Sequence, residues 1–106
     1  MEVTHYLTAN GIDLVQDWLD ALEDLKARAI ILRRIDRLRC GAFGDCKFCG
    51  EGVWELRIDS GPGYRIYYAR QGATVILLLQ GGSKATQDRD IPKAIACWKE
   101  ARRRQA

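Results

Sequence analysis

Two arginines flank one turn in the stretch Trp54–Tyr68, WELRIDSGPGYRIYY: Arg57 precedes Ser60-Gly61-Pro62-Gly63 and Arg65 follows it. A guanidinium group offers a planar fork of donors that matches phosphate or carboxylate oxygens, so the spacing points to an anion site. Side chains alternate across a strand. Trp54, Leu56 and Ile58 then share one face of the first strand, and Glu55, Arg57 and Asp59 the other. Beyond the turn, Tyr64, Ile66 and Tyr68 share a face, and Arg65, Tyr67 and Ala69 the opposite one. Centring the turn on Gly61 sets Ile58 opposite Tyr64, Leu56 opposite Ile66 and Trp54 opposite Tyr68. A slip of one residue would set apolar side chains against polar ones. This register places Arg57 opposite Arg65 on the face away from the core. Like charges directly opposite cost a few tenths to about 1 kcal/mol, and such a cost often marks a functional site. The bland alternative is a surface network in which Glu55 and Asp59 neutralise the arginines diagonally.

Downstream, Leu79-Gln80-Gly81-Gly82-Ser83-Lys84 carries a lysine to the end of the next strand. Gln71-Gly72 as a two-residue turn makes that strand antiparallel to its predecessor. Its Gly82–Lys84 end then lies near Tyr64 and Arg65, so Arg57, Arg65 and Lys84 converge. Tyr67 shares their face.

The elements that must hold these residues belong to one domain of 106 residues. Glu2 to Leu7 alternates and reads as an edge strand. Asn10 or Asp13 can cap a first helix, with Ile12, Val15, Trp18, Leu19 and Leu22 at helical spacing. A second helix is expected from Leu25 to Arg39, with Gly41 ending it. Strands follow at about 45–48, 53–59, 64–70 and 74–80, separated by glycine-rich turns. Gly81-Gly82 closes the last strand. Asp90 is the expected N-cap of a final helix, with Pro92 in its first turn. The order β-α-α-β-β-β-β-α gives an α+β domain: a twisted, mostly antiparallel sheet, an N-terminal helical hairpin and a C-terminal helix, with the helices on one face.

The net charge is only +3, but Arg28, Arg33, Arg34, Arg37 and Arg39 crowd one helix and Arg102, Arg103 and Arg104 the tail. Each cluster is either a phosphate-binding patch or a solvated helix face. Of four cysteines, Cys46 and Cys49 form a C-x-x-C. A second such pair is missing and the one histidine is His5, so plain thiols are expected over a zinc or redox site. No apolar run approaches the ~18–20 residues of a membrane span, and the N-terminus lacks signal-peptide features. The expected location is the cytoplasm.

WELRIDSGPGYRIYY, the segment LLLQGGSKATQDRDI and the upstream GDCKFCGEGVWELR together resemble the RelE/ParE toxin superfamily, most nearly the HigB-like "addiction module killer" branch of type II toxin–antitoxin systems. The resemblance covers nearly the whole chain, and GPGYR-x-YY followed by GG-x-K-x-x-Q carries it best. It implies a RelE-like sheet that cups RNA, and cleavage of messenger RNA on the ribosome with the RNA 2′-hydroxyl as nucleophile and no metal or cofactor. Arg65 matches the arginine of the family's G-Y-R strand. Arg57 and Lys84 match basic positions on neighbouring strands. These three, with Tyr67 as a proton donor or stacking group, are the expected catalytic residues. Lys47, Gln87 and Arg89 are the expected RNA contacts.

The sequence departs from the family where Val53 and Glu55 replace lysines used by some members, and the last helix has neither histidine nor tyrosine. Glu55 and Asp88 are then candidates for the base. The resemblance further implies a cognate antitoxin, a helix-turn-helix DNA-binding protein. Two other functions stay open: a ParE-like inhibitor of DNA gyrase that cuts nothing, and an inactive toxin retained as an antitoxin-bound partner.

Overall fold

Asp13 opens the first helix: its side chain accepts the Gln16 amide at 2.9 Å. Asp24 does the same for the second, accepting the Ala27 amide at 3.0 Å. Each supplies an acceptor to a first-turn N–H that the helix itself cannot satisfy. The computed structural model describes residues 1–105. Its elements are β1 (Glu2–His5), α1 (Leu14–Ala21), α2 (Leu25–Arg39), β2 (Cys46–Gly50), β3 (Val53–Ile58), β4 (Tyr64–Gln71), β5 (Val75–Ser83), a 3-10 turn (Lys84–Thr86) and α3 (Gln87–Gln105).

The five strands form one sheet in the order β1-β5-β4-β3-β2. β1 runs parallel to β5, and the other pairs are antiparallel. The α+β class and the mostly antiparallel sheet are as the sequence predicts. So is the β3–β4 register, with Ile58 opposite Tyr64, Leu56 opposite Ile66, Trp54 opposite Tyr68, and Arg57 opposite Arg65.

The helices do not share one face. α1 and α2 cover Leu56, Ile58, Ile66, Tyr68, Ile76 and Leu78. α3 covers Val53, Tyr67, Ala69, Leu77 and Leu79 on the other side. β4 and β5 are apolar on both faces, and each face needs a cover. The unbroken run Val75-Ile76-Leu77-Leu78-Leu79 is the mark of a strand buried on both sides.

Two boundaries also differ from expectation. β5 continues through Gly81 and Gly82, because these glycines serve close approach and not a turn. A Cβ on Gly81 would overlap the Trp18 ring, and one on Gly82 the Asp90 carboxylate. α3 starts at Gln87, so Asp90 is inside its first turn and Pro92 lies beyond that turn. Asp90 is not a cap because its carboxylate is engaged elsewhere: it accepts from Gln80 Nε2 at 2.9 Å and from Thr86 Oγ1 at 2.5 Å. It is buried at 3% exposure. That network ties the start of α3 to the end of β5.

Candidate nucleic-acid interface

α3 covers only part of its sheet face. Beyond its first residue the face is bare, and an open cleft of about 510 Å³ lies there, its lining including Asp45, Lys47, Glu55, Arg57, Arg65, Lys84 and Gln87. Alternation supplies three of these from the central hairpin and the Ser60–Gly63 turn closes one end. In that turn the Gly63 amide donates to Ser60 O at 2.9 Å. Gly63 has φ +83°, a left-handed conformation that glycine adopts without strain, and it lies beside Lys84 and Arg65. The Lys84 amide donates to Gly63 O at 2.9 Å, which fixes the lysine at the cleft wall.

Arg57 donates through Nε to Asp45 Oδ1 at 3.1 Å. Its carbonyl accepts from Arg34 Nη1 at 2.8 Å. Arg34 Nη2 also donates to Phe43 O and Asp45 O, each at 3.2 Å. That arginine of the α2 cluster is therefore a clasp joining α2 to the sheet edge. Arg28 and Arg39 pair with Asp20 and Asp36 at 3.1 and 2.9 Å. In the tail, Arg104 donates to Glu100 at 2.8 Å and to the Leu7 carbonyl. Neither basic cluster lines the cleft.

Arg65 is the most sequestered cation of the cleft, its side chain 11% exposed. Nη1 donates to Tyr64 O at 3.0 Å. Nε is buried without a hydrogen-bond partner and stands 3.8 Å from Glu55 Oε2. Glu55 is itself buried, and its Oε2 accepts from Gln87 Nε2 at 2.7 Å. Lys47 lies across from Glu55 on β2. Four cations thus face three carboxylates (Asp45, Glu55 and Asp59) around one opening. Among the described residues Lys47 and Lys84 have no ion-pair partner. An incoming phosphate meets two ammonium groups without an ion-pair partner, Lys47 and Lys84, beside the Arg57 and Arg65 guanidinium groups that line the same cleft, a donor set that suits an anion.

The fold therefore brings together Arg57, Arg65, Lys84, Lys47 and Gln87. It does not bring Tyr67 to the surface. Tyr67 is fully buried, and its hydroxyl has no partner. Burial, followed by the charges of Glu55 and Asp90, pushes its pKa above the ordinary tyrosine value. Arg89 is in a separate groove with Trp18, Asp90 and Lys93. Its side chain is 77% exposed. Asp88 is exposed and outside the cleft lining, which leaves Glu55 as the candidate base within it. Asp45 was not singled out by sequence, although it sits two residues before Lys47 and so on the same strand face. For Arg34, nothing in the sequence distinguishes the clasp from its neighbours.

The C-x-x-C thiols are divided by the sheet. Cys46 faces Tyr68 and Trp54 on the α2 side, whereas Cys49 packs on the α3 side. All four cysteines are free thiols. Burial, and then the charge of Glu55, raise the Cys49 pKa to about 11, so it is a protonated thiol at neutral pH. His5 Nδ1 meets Asp13 Oδ2 at 2.8 Å beside β1, the sheet edge opposite β2.

With this geometry in hand, comparison with known proteins gives a family. The family model described as "Phage derived protein Gp49-like (DUF891)" matches residues 17–102. The chain belongs to this family. The match takes in α2, the whole hairpin and nearly all of α3. Gp49-like proteins are linked to RelE-like toxins. The chain is also 51% identical over 77 residues to an uncharacterized protein of Haemophilus influenzae, covering 73% of this chain and 78% of that one. Among the described residues of this Gp49-like protein, no helix is long and apolar enough to cross a membrane.

Proposed function

We propose that this Gp49-like protein is the toxin of a type II toxin–antitoxin pair, of the HigB-like kind, and that it cuts messenger RNA on the ribosome. The observation that carries the reading is the convergence of Arg57, Arg65, Lys84 and Lys47 on one open cleft beside a buried carboxylate. RNA brings its own nucleophile. The 2′-oxygen attacks the adjacent phosphorus, an O2′–P bond forms, and the P–O5′ bond breaks. Negative charge grows on the non-bridging oxygens at the moment of attack. Preorganised positive charge beside that site lowers the barrier most, and the Arg65 guanidinium at the cleft wall supplies it. Arg57 and Lys84 bind the same phosphate, and Lys47 the next one. Glu55 takes the 2′-hydroxyl proton, held in place by Gln87. Water in the open cleft gives a proton to the departing 5′-oxygen. Arginine and lysine supply the positive charge that a metal supplies in other nucleases.

The partners of this reading are the ribosome with its message, and a helix-turn-helix antitoxin that masks the cleft in the cytoplasm. One observation favours the gyrase alternative: His5, the chain's one imidazole, is bound to Asp13 at the far sheet edge, so the cleft has no histidine acid.

Primer extension after brief expression tests the proposal. New 5′ ends within translated regions are expected from the wild type. Arg65→Ala is expected to abolish them, a loss of at least about a hundredfold, the scale of removing one charge-stabilising donor. Growth arrest with intact messages would instead favour gyrase inhibition, checked by plasmid supercoiling. Neither arrest nor cleavage would favour an inactive toxin.

A further inference from the structure

The free edge of β2 separates two surfaces of different chemistry. Lys47 faces the cleft; Phe48, the next residue, faces the other side and is 51% exposed. The Phe48 ring lies 5.1 Å from that of Trp54, tilted by 59°. Beside them is a hollow of about 400 Å³ lined by Phe43, Cys46, Trp54, Tyr68 and Arg70. Phe43 and Tyr68 stack at 6.1 Å, and the Arg70 guanidinium carbon sits 4.5 Å over the Phe43 ring. No carboxylate lines this hollow, whereas the apolar groove at Trp18 is lined by Asp90.

We propose that this aromatic edge is a base-stacking platform for the single-stranded RNA that runs out of the cleft. The inference rests on the RNA-cleaving reading above and names where the strand goes. Aromatic faces interleaved with cations are the recurring means of holding single strands, because every base has a π-face and every linkage a charge. Residues 47 and 48 are adjacent on an edge strand. RNA anchored at Lys47 therefore need only cross that edge to set a base on Phe48, with Arg70 placed for a following phosphate. A peptide strand adding to β2 is the rival occupant. The register shift between Phe48 and Gly50 works against it, since a bulge twists an edge away from further pairing.

The test is binding of a fluorescein-labelled single-stranded oligouridine and of a duplex RNA of equal length, at low salt. A duplex offers the same charge with its bases already stacked on each other. Phe48→Ala is expected to weaken the single strand about fivefold or more and to leave the duplex unchanged. Phe48→Tyr is expected to restore the single strand. Lys47→Ala is expected to weaken both. Phe48→Ala with wild-type affinity for both RNAs would overturn the platform while leaving the cleft reading intact. A wild type that binds neither RNA would overturn the cleft reading and the platform with it. Phe48→Ala that keeps RNA but loses the antitoxin would mark the edge as a protein-docking surface and overturn the proposal.

Discussion

The α3 side of the sheet has two ends built on the same strands, and they obey different rules. At the covered end Tyr67, Ala69, Leu77 and Leu79 pack beneath Ala94, Cys97, Trp98 and Ala101. At the open end Arg57, Arg65 and Lys84 line the cleft beside Glu55. β4 contributes Tyr67 to the first and Arg65 to the second, two positions apart on one face. What divides them is where α3 begins. Gln87 is the boundary: it starts the helix and its amide reaches Glu55. Volume governs the covered end and charge the open one. Substitutions should therefore separate into those that change stability and those that change chemistry.

The largest expected effect tests that separation directly. Leu79→Ala removes a fully buried side chain and is expected to cost about 2–5 kcal/mol. Arg57→Ala removes a pair whose side chains are 39% and 53% exposed, and is expected to cost no more than about 1 kcal/mol while reducing RNA cleavage. Urea midpoints at equal slope provide the measurement. Equal losses from the two variants would break the distinction between the ends.

Asp90 tests the boundary itself. Asp90→Ala leaves the Gln80 amide without its acceptor and the Thr86 hydroxyl with only the Ser83 carbonyl at 3.3 Å, an expected cost of about 1–3 kcal/mol. It also frees the joint that carries Lys84 and Gln87. Cleavage per folded molecule is expected to fall by up to about a hundredfold, the scale of a reacting group misplaced by about 1 Å, measured at a temperature where both proteins are folded. Lost stability with undiminished cleavage would show that the clamp serves the core alone.

The hairpin was the most legible part of the molecule. Its two faces differ so sharply in polarity that one register satisfies both, and Arg57 opposite Arg65 follows from it. The start of α3 was not legible. Asp90 has the residue type of a cap, and only the fold shows that it clamps β5 instead, accepting from Gln80 and Thr86 and packing against Gly82. The expectation from sequence is helices on one face, although Val75–Leu79, a run without alternation, belongs to a strand covered on both. Asp45 and the Arg34 clasp were harder: their partners lie 12 and 23 residues away along the chain, a separation that local pattern does not report.

Tyr67 carries the finest test, because alternation and burial disagree about it. Alternation puts it on the arginine face, where a proton donor would belong. The fold then draws α3 over it, leaving its hydroxyl buried and unpartnered. Burial, together with the nearby Glu55 and Asp90 charges, holds the phenol protonated through the physiological range. A buried hydroxyl with no hydrogen bond is a cost that phenylalanine does not carry. Tyr67→Phe is therefore expected to raise stability by about 1 kcal/mol, or roughly 4–8 °C in Tm for a domain near this size. Cleavage is expected to be unchanged, since the hydroxyl has no path to the cleft. The opposite result, lost cleavage at unchanged stability, would mean that the covered end takes part in proton transfer, and that Gln87 is a hinge over the site rather than its border.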